Sequence, residues 1–230
     1  DALMRDRGGV GIAHGAGDAD REVVDADDRV LVPPDRPSYT LRRLWLTDKE
    51  SASYYDGFAN EGLWPLCHEA HVRPVFRTHD WESYQLVNTR FAEVIETELP
   101  ELSAPVFIQD YHLALVAAKL RKLQQGLKTA LFWHIPWPSP DRLRMCPWRR
   151  DLISGLLGND LIAFQLDRDR RNFLVAAREE LSLETTRNTV RIGNRIVAVK
   201  AVPIGVDYDR IQRIAHDLSL IHICRCRRAI

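Results

Sequence analysis

An acid and a histidine, Asp110 and His134, occupy matching points of two successive units in the stretch VFIQDYHLALVAAKLRKLQQGLKTALFWHIPWP, residues 106–138. The run Pro105 to Ile108 is apolar and stops at Gln109-Asp110, and the run Thr129 to Trp133 stops at His134-Ile135-Pro136. A third apolar run, Leu161 to Phe164, stops at Gln165. In an open parallel sheet, ligands bind beyond the carboxyl ends of the strands, where loops and helix N-termini converge. The three polar side chains are therefore expected on one sheet edge, lining a cleft where they bind and orient a polar ligand. Each of the first two also has a plainer use, Asp110 as the N-cap of the next helix and His134 as a loop residue before proline.

The elements that must hold these residues follow from periodicity. Between the first two runs, Leu113, Val116, Ala117, Leu120 and Leu123 recur at helical spacing, with a helix expected from His112 to Leu123 and a stop at Gly126. Upstream, Gly8 to Gly17 reads as a short strand among glycines, too irregular for a phosphate-binding fingerprint. Glu22 to Pro34 and Tyr39 to Leu46 alternate as strands do, with Pro33-Pro34 at the turn. Thr47-Asp48-Lys49-Glu50 has the form of a capping box and opens a helix carrying Tyr54 and Tyr55, after which Phe58 to Pro65 is rich in helix breakers. Asp80 is the expected cap of a helix whose Trp81, Tyr84, Val87, Phe91, Val94/Ile95 and Leu99 form one core stripe. Downstream, Ser139-Pro140-Asp141 opens a helix, a second covers about Trp148 to Leu157, and Asp167 to Leu181 is amphipathic. A hairpin turns at Gly193-Asn194, Ala201 to Ile204 reads as a last core strand, and Asp207 caps a final helix. Strands alternating with helices in the second half predict a mostly parallel, right-handed α/β sheet.

Composition narrows the function classes. With 230 residues, 45% hydrophobic and 28% charged, the chain is long enough for a full core. Its 32 basic and 32 acidic residues balance, and the Arg-rich stretches are interrupted by acids or apolar residues, so no nucleic-acid partner is expected. No run is long enough to span a membrane and DALMRDRGG lacks a signal-peptide core, which points to a cytoplasmic protein. Cys67 and Cys146 stand alone without zinc-ligand spacing and are expected as free thiols. The end, LSLIHICRCRRAI from Leu218, breaks the pattern, and LSLIHI matches the translation of a transposon-end adapter used in sequencing libraries. Natural sequence is therefore expected to stop near Asp217, with 218–230 a non-native tail.

The wording of the motifs adds a resemblance. Asp-Tyr-His-Leu at 110–113 and His-Ile-Pro-Trp-Pro at 134–138 are similar to the retaining glucosyltransferases that make trehalose 6-phosphate. Tyr54-Tyr55 through Trp64-Pro65, Trp81 through Asn88, Ala163-Phe164-Gln165 and Val202-Pro203-Ile204-Gly205-Val206-Asp207 fall in the same order, so the resemblance covers about 39–215. It implies a two-domain GT-B fold, of which residues 1–217 match the N-terminal, acceptor-side Rossmann-like domain, truncated at both ends. The family's first strand, with an Arg for the acceptor phosphate, is not found before Asp1, and its Arg/Lys pair for the donor phosphates would follow residue 217. Gly11 stands where the family commonly has an aromatic residue.

Such an enzyme moves glucose from UDP-glucose to glucose 6-phosphate with retention, needing hydroxyl acceptors, an aromatic wall and donors for the phosphate charge. The resemblance implies that Asp110 binds the acceptor sugar, Tyr55 its phosphate end, Trp64 its face, and that Tyr111 also contacts it. Trp64 and Ile135 would shape anomer choice, and His134 would sit against the transferred glucose. His112 is expected to be structural. No metal or cofactor is implied; the partners are UDP-glucose and glucose 6-phosphate, with a homo-oligomer open for the full-length protein. Two alternatives stay open, a glucosylglycerol-phosphate synthase and a non-catalytic sugar-phosphate-binding module. The 230-residue stretch alone is expected to lack transfer activity.

Overall fold

In the computed structural model, which describes residues 2–15, 17–99, 104–124 and 126–215, the strands fall into two sheets. The 218–230 tail lies outside the described residues. In chain order the first elements are α1 (Ala2–Arg7), β1 (Val10–Gly15), α2 (Asp18–Val23), β2 (Arg29–Val32) and β3 (Tyr39–Trp45). They make a three-stranded sheet of order β1-β3-β2, in which β1 runs parallel to β3 and β2 antiparallel. Glu22 and Val23, expected in a strand, end α2 instead, where Asp18 and Asp20 favour the helix from its first turn.

The Thr47 capping box is present, with Thr47 Oγ1 accepting the Glu50 N–H at 3.2 Å and Glu50 Oε2 accepting the Thr47 N–H at 2.8 Å. The helix it opens does not stop at Phe58 to Pro65. It runs from α3 (Asp48–Ser51) through a π-helical segment, Ala52–Leu63, into α4 (Trp64–Cys67). Pro65 is tolerated because the Glu61 carbonyl, four residues back, accepts the Val75 N–H at 2.9 Å. The glycines there serve close approach: a Cβ on Gly57 would lie 2.5 Å from Asp80 Cγ, and one on Gly62 2.9 Å from Phe76 Cε1.

Next comes α5 (Thr78–Glu98), whose stripe Trp81, Tyr84, Val87, Phe91 and Ile95 is buried as expected. Asp80 is not its cap. It lies in the first turn, 2% exposed, accepting from Arg77 Nη1 at 3.0 Å. The helix packs against the π-helical segment, β1 and the later α6 (Val116–Leu123), so it bridges the two sheets.

The second sheet comprises β4 (Val106–Gln109), β5 (Thr129–Trp133), β6 (Leu161–Phe164), β7 (Thr189–Ile192) and β8 (Arg195–Ala201) in the order β4-β5-β6-β8-β7. All neighbours are parallel except the β7–β8 hairpin, which turns at Gly193 with φ 56°. Helices α7 (Pro140–Leu143), α8 (Arg149–Leu156) and α9 (Asp167–Leu181) connect the strands, and α10 (Tyr208–Ala215) follows, with Asp207 Oδ1 accepting the Arg210 N–H at 3.0 Å. The result is an α/β fold of mostly parallel sheets flanked by helices. Two expectations change here. The helix after β4 begins as a 3-10 turn, Tyr111–Leu113, before α6, and the strand expected at Ala201 to Ile204 is the end of β8, after which Val202 and Ile204 are 47% and 57% exposed.

Candidate active-site edge

Register places the polar residues side by side. Gln109 pairs with Phe132 and Trp133 with Phe164, so Asp110, His134 and Gln165 are adjacent at the carboxyl ends of β4, β5 and β6. A line of hydrogen bonds joins them. Asp110 Oδ1 accepts the N–H of Tyr111 at 2.8 Å and that of His134 at 3.0 Å. Gln165 Oε1 accepts the Ile204 N–H at 3.0 Å, which turns Gln165 Nε2 toward His134 Nδ1, 3.2 Å away. An amide nitrogen only donates, so Nδ1 accepts and the neutral imidazole carries its proton on Nε2.

Asp110 has φ 72° and ψ 174°, a conformation costly for any residue with a side chain. Its two backbone bonds to Oδ1 hold it there, and Oδ2 has no protein donor among the described residues. The cap reading of Asp110 thus holds through Oδ1, which accepts both backbone N–H groups. His134 is exposed because its neighbours are not: Trp133 is 0% and Ile135 6% exposed. Trp137 anchors the loop, its ring 4.9 Å from Trp133 and 5.1 Å from Phe173, and Asn172 Nδ2 donates to its carbonyl at 3.3 Å.

Tyr55 stacks on His112 at 5.0 Å and 10°, and His14 at the end of β1 lies 6.1 Å from the same Tyr55 ring. The aromatic group therefore spans from the first sheet to the loop after β4. Tyr111 is buried, its hydroxyl donating to Asn60 Oδ1 at 2.9 Å, and burial pushes its phenol pKa upward. Trp64, 42% exposed, lies one turn beyond Asn60 and packs its ring on His68 at 4.2 Å. His112, two residues after Asp110, thus carries Tyr55 on its ring and has Tyr111 4.0 Å away, while Trp64 follows Tyr55 on the same helical rod.

His112 is only partly exposed, and its Nε2 is buried without a partner among the described residues. Burial lowers its pKa; Asp110 opposes this and His14 adds to it. Sequence reasoning missed the residues that fix this loop. From the stripe read only as core, Tyr84 donates its hydroxyl to the Tyr111 carbonyl and accepts the Ala114 N–H at 3.2 Å. Asn88, fully buried, donates to the Tyr84 and His112 carbonyls at 2.9 and 3.0 Å and accepts the Leu115 N–H at 3.0 Å. A polar residue in register with an apolar stripe was the available signal for Asn88.

Cys67 and Cys146 are free and buried, and burial pushes the Cys146 thiol up to about 12. Among the described residues no cluster of His, Cys, Asp and Glu is arranged to hold a metal ion, and no helix is long and apolar enough to cross a membrane.

The sequence profile of glycosyltransferase family 20 matches residues 17–224. The trehalose-6-phosphate synthase of Mycolicibacterium vanbaalenii is 39% identical over 194 residues, covering 80% of this chain and 39% of the relative. That of Mycobacterium avium is 36% identical over 217 residues, covering 90% and 43%. The chain thus spans under half the length of these curated relatives. Among solved structures, the α,α-trehalose 6-phosphate synthase of Burkholderia multivorans superposes with a TM-score of 0.80 at 29% identity, over 97% of this chain and 48% of that one. The UDP-forming synthase of Burkholderia xenovorans gives 0.79 at 28%, over 93% and 46%. The N-terminal domain of Candida albicans trehalose-6-phosphate phosphatase gives 0.71 at 27%, over 78% and 38%.

Proposed function

The chain belongs to glycosyltransferase family 20, and on that footing we propose that it carries the acceptor side of a retaining glucosyltransferase joining the glucosyl group of UDP-glucose to glucose 6-phosphate. The products are α,α-trehalose 6-phosphate and UDP. The observation that carries this reading is the Asp110 carboxylate, pinned through Oδ1 by two backbone N–H groups with Oδ2 left open beside His134. A fixed carboxylate oxygen accepts from a sugar hydroxyl in a charge-assisted hydrogen bond and orients the acceptor. The UDP-forming activity in the name of the Burkholderia xenovorans relative supports UDP as the leaving group.

In the reaction, the anomeric oxygen of glucose 6-phosphate bonds to C1 of the donor glucose as the C1–O bond to UDP breaks, and the hydroxyl proton passes to the departing phosphate. Asp110 positions the acceptor, and His134 donates its Nε2 proton in a hydrogen bond to a hydroxyl of the transferred glucose. Tyr55 faces the acceptor's phosphate end and Trp64 covers its ring. Ile135 and Tyr111, both buried, shape the site from beneath, Ile135 with Trp64 toward anomer choice. Residues 1–217 form the acceptor-side domain.

A second reading is favoured by the likeness to the Candida albicans phosphatase's N-terminal domain, which belongs to a protein named for a different activity. In that case the same edge binds a sugar phosphate without transferring to it. The polypeptide of the whole reading frame, incubated with UDP-glucose and either glucose 6-phosphate or glycerol 3-phosphate and analysed by mass spectrometry, separates the two. Equal amounts of UDP and a phosphorylated disaccharide are expected. Binding of glucose 6-phosphate without product would establish the second reading, and product formed only with glycerol 3-phosphate would replace the acceptor.

A further inference from the structure

At the other end of the second sheet lies a cavity of about 380 Å³, within the size range of small-molecule sites. Leu157, Leu181, Leu183 and Ile192 give it apolar walls, and Arg121, Lys122 and Arg195 bring three cations to it. Its residues precede β5, β6 and β8 or begin them, so it sits at the amino ends of the strands that end at His134 and Gln165. A five-residue strand is roughly 17 Å long, which separates this cavity from the active-site edge.

The charge there is unbalanced. Arg121 donates through Nε to the Gly158 carbonyl at 2.7 Å and through Nη2 to Asp160 at 3.1 Å. Arg195 donates to the Asn159 carbonyl at 2.7 Å and to that of Leu157. Those carbonyls are neutral, and Lys122 forms no ion pair among the described residues, so Asp160 is the one carboxylate bonded to this group of cations. Arg121 Nη1 and Arg195 Nε have no protein acceptor among the described residues. Burial, and then repulsion from Arg121, lowers the pKa of Arg195. Both guanidiniums are thus held in place by backbone carbonyls and still have donors to spare, over an apolar floor.

We propose that this cavity is a second binding site, for a small amphipathic carboxylate whose apolar body lies on Leu157, Leu181, Leu183 and Ile192 and whose anion is shared by Arg121 and Arg195. A carboxylate supplies the charge the three cations lack and accepts the two free donors, and the leucines and isoleucine take a ring or short chain. The site shares no residue with the opposite edge.

4-Phenylbutyrate is the probe, titrated calorimetrically into the 230-residue chain beside its uncharged amide. Saturable binding of the acid is expected, with the amide at least about tenfold weaker, as loss of charge-assisted hydrogen bonds requires. Ser154 and Lys122 both line the cavity and are exposed, so Ser154→Trp and Lys122→Glu test it without touching the core. Ser154→Trp should abolish binding by filling the space, and Lys122→Glu should weaken it by about threefold, in line with an exposed charge. Circular dichroism checks that each variant is folded. Equal affinity for acid and amide, binding undiminished in both variants, or no binding of the acid at all would overturn the proposal.

Discussion

The carboxylate of Asp110 and the backbone N–H of His134, 24 residues apart, meet at 3.0 Å across the ends of β4 and β5. This bond fixes the acid against the loop that presents the imidazole and leaves Oδ2 open. Asp110→Asn keeps an oxygen for both backbone donors but replaces Oδ2 with a group that donates. In the transferring polypeptide it should lower transfer efficiency by about 10- to 150-fold, the equivalent of roughly 1.5–3 kcal/mol for a hydrogen bond to a charged group. The unfolding midpoint should change little. Steady-state rates with glucose 6-phosphate, beside urea denaturation, check both halves; unchanged turnover would remove Asp110 from the acceptor site.

Much of this edge was legible because three short apolar runs each end on a polar residue, and parallel pairing then lines up Asp110, His134 and Gln165. The β5, β6 and α9 boundaries coincide with their hydrophobic runs for the same reason. Where tertiary contacts decided the outcome, local pattern misled. Phe58 to Pro65 reads as broken helix, but Glu61's carbonyl finds Val75 and the glycines admit Asp80 and Phe76 at close range. Asp80 reads as a cap by residue type, yet Arg77 takes its carboxylate. The division of the strands between two sheets depends on which edges pair, and that information is not in any one strand's sequence.

Asn88 is the clearest structural polar residue in the core. Replacing it with Ala strands the Leu115 N–H and the His112 carbonyl, both within the loop that shapes the site. Each unsatisfied buried group costs about 1–3 kcal/mol, so Asn88→Ala should destabilise the fold by about 3 kcal/mol. Chemical denaturation reads this directly; a loss under about 0.5 kcal/mol, the size of an ordinary surface substitution, would show that the loop does not depend on Asn88.

Gly57→Ala should also destabilise, because the added methyl meets Asp80 Cγ at 2.5 Å and Asp80 is held by Arg77 at 3.0 Å. Overpacking of this kind costs about 1–3 kcal/mol. Helix propensity alone would favour alanine by up to about 1 kcal/mol, so the sign of the measured change separates the two effects. A stabilised variant would mean that Asp80 moves aside freely.

Gln165 sets the proton position on His134 by donating to Nδ1. In Gln165→Glu the ionised side chain can only accept, and the proton should move to Nδ1. Nitrogen-15 chemical shifts of the labelled imidazole would show the exchange of tautomers. In the transferring polypeptide the loss of the Nε2–H donor should reduce the rate by about tenfold, one hydrogen bond's worth. An unaltered imidazole spectrum would mean that Gln165 does not orient the ring.

His112 should make stability depend on pH. Burial, the largest influence, lowers its folded-state pKa, so the unfolded chain takes up a proton at a higher pH than the folded one does. Above about pH 6.5 both forms are neutral and its contribution is complete; as pH falls through that value the unfolded state gains the proton first and stability declines. The decline ends once the folded form is protonated as well. Its slope stays below the limit of one proton, about 1.4 kcal/mol per pH unit. His112→Phe retains a ring to stack on Tyr55, 5.0 Å away, and removes the titration. Urea denaturation at a series of pH values from about 7.5 to 5 should therefore show a shallower acid slope for the variant, and parallel curves would mean that His112 is protonated as readily in the folded chain as in the unfolded one.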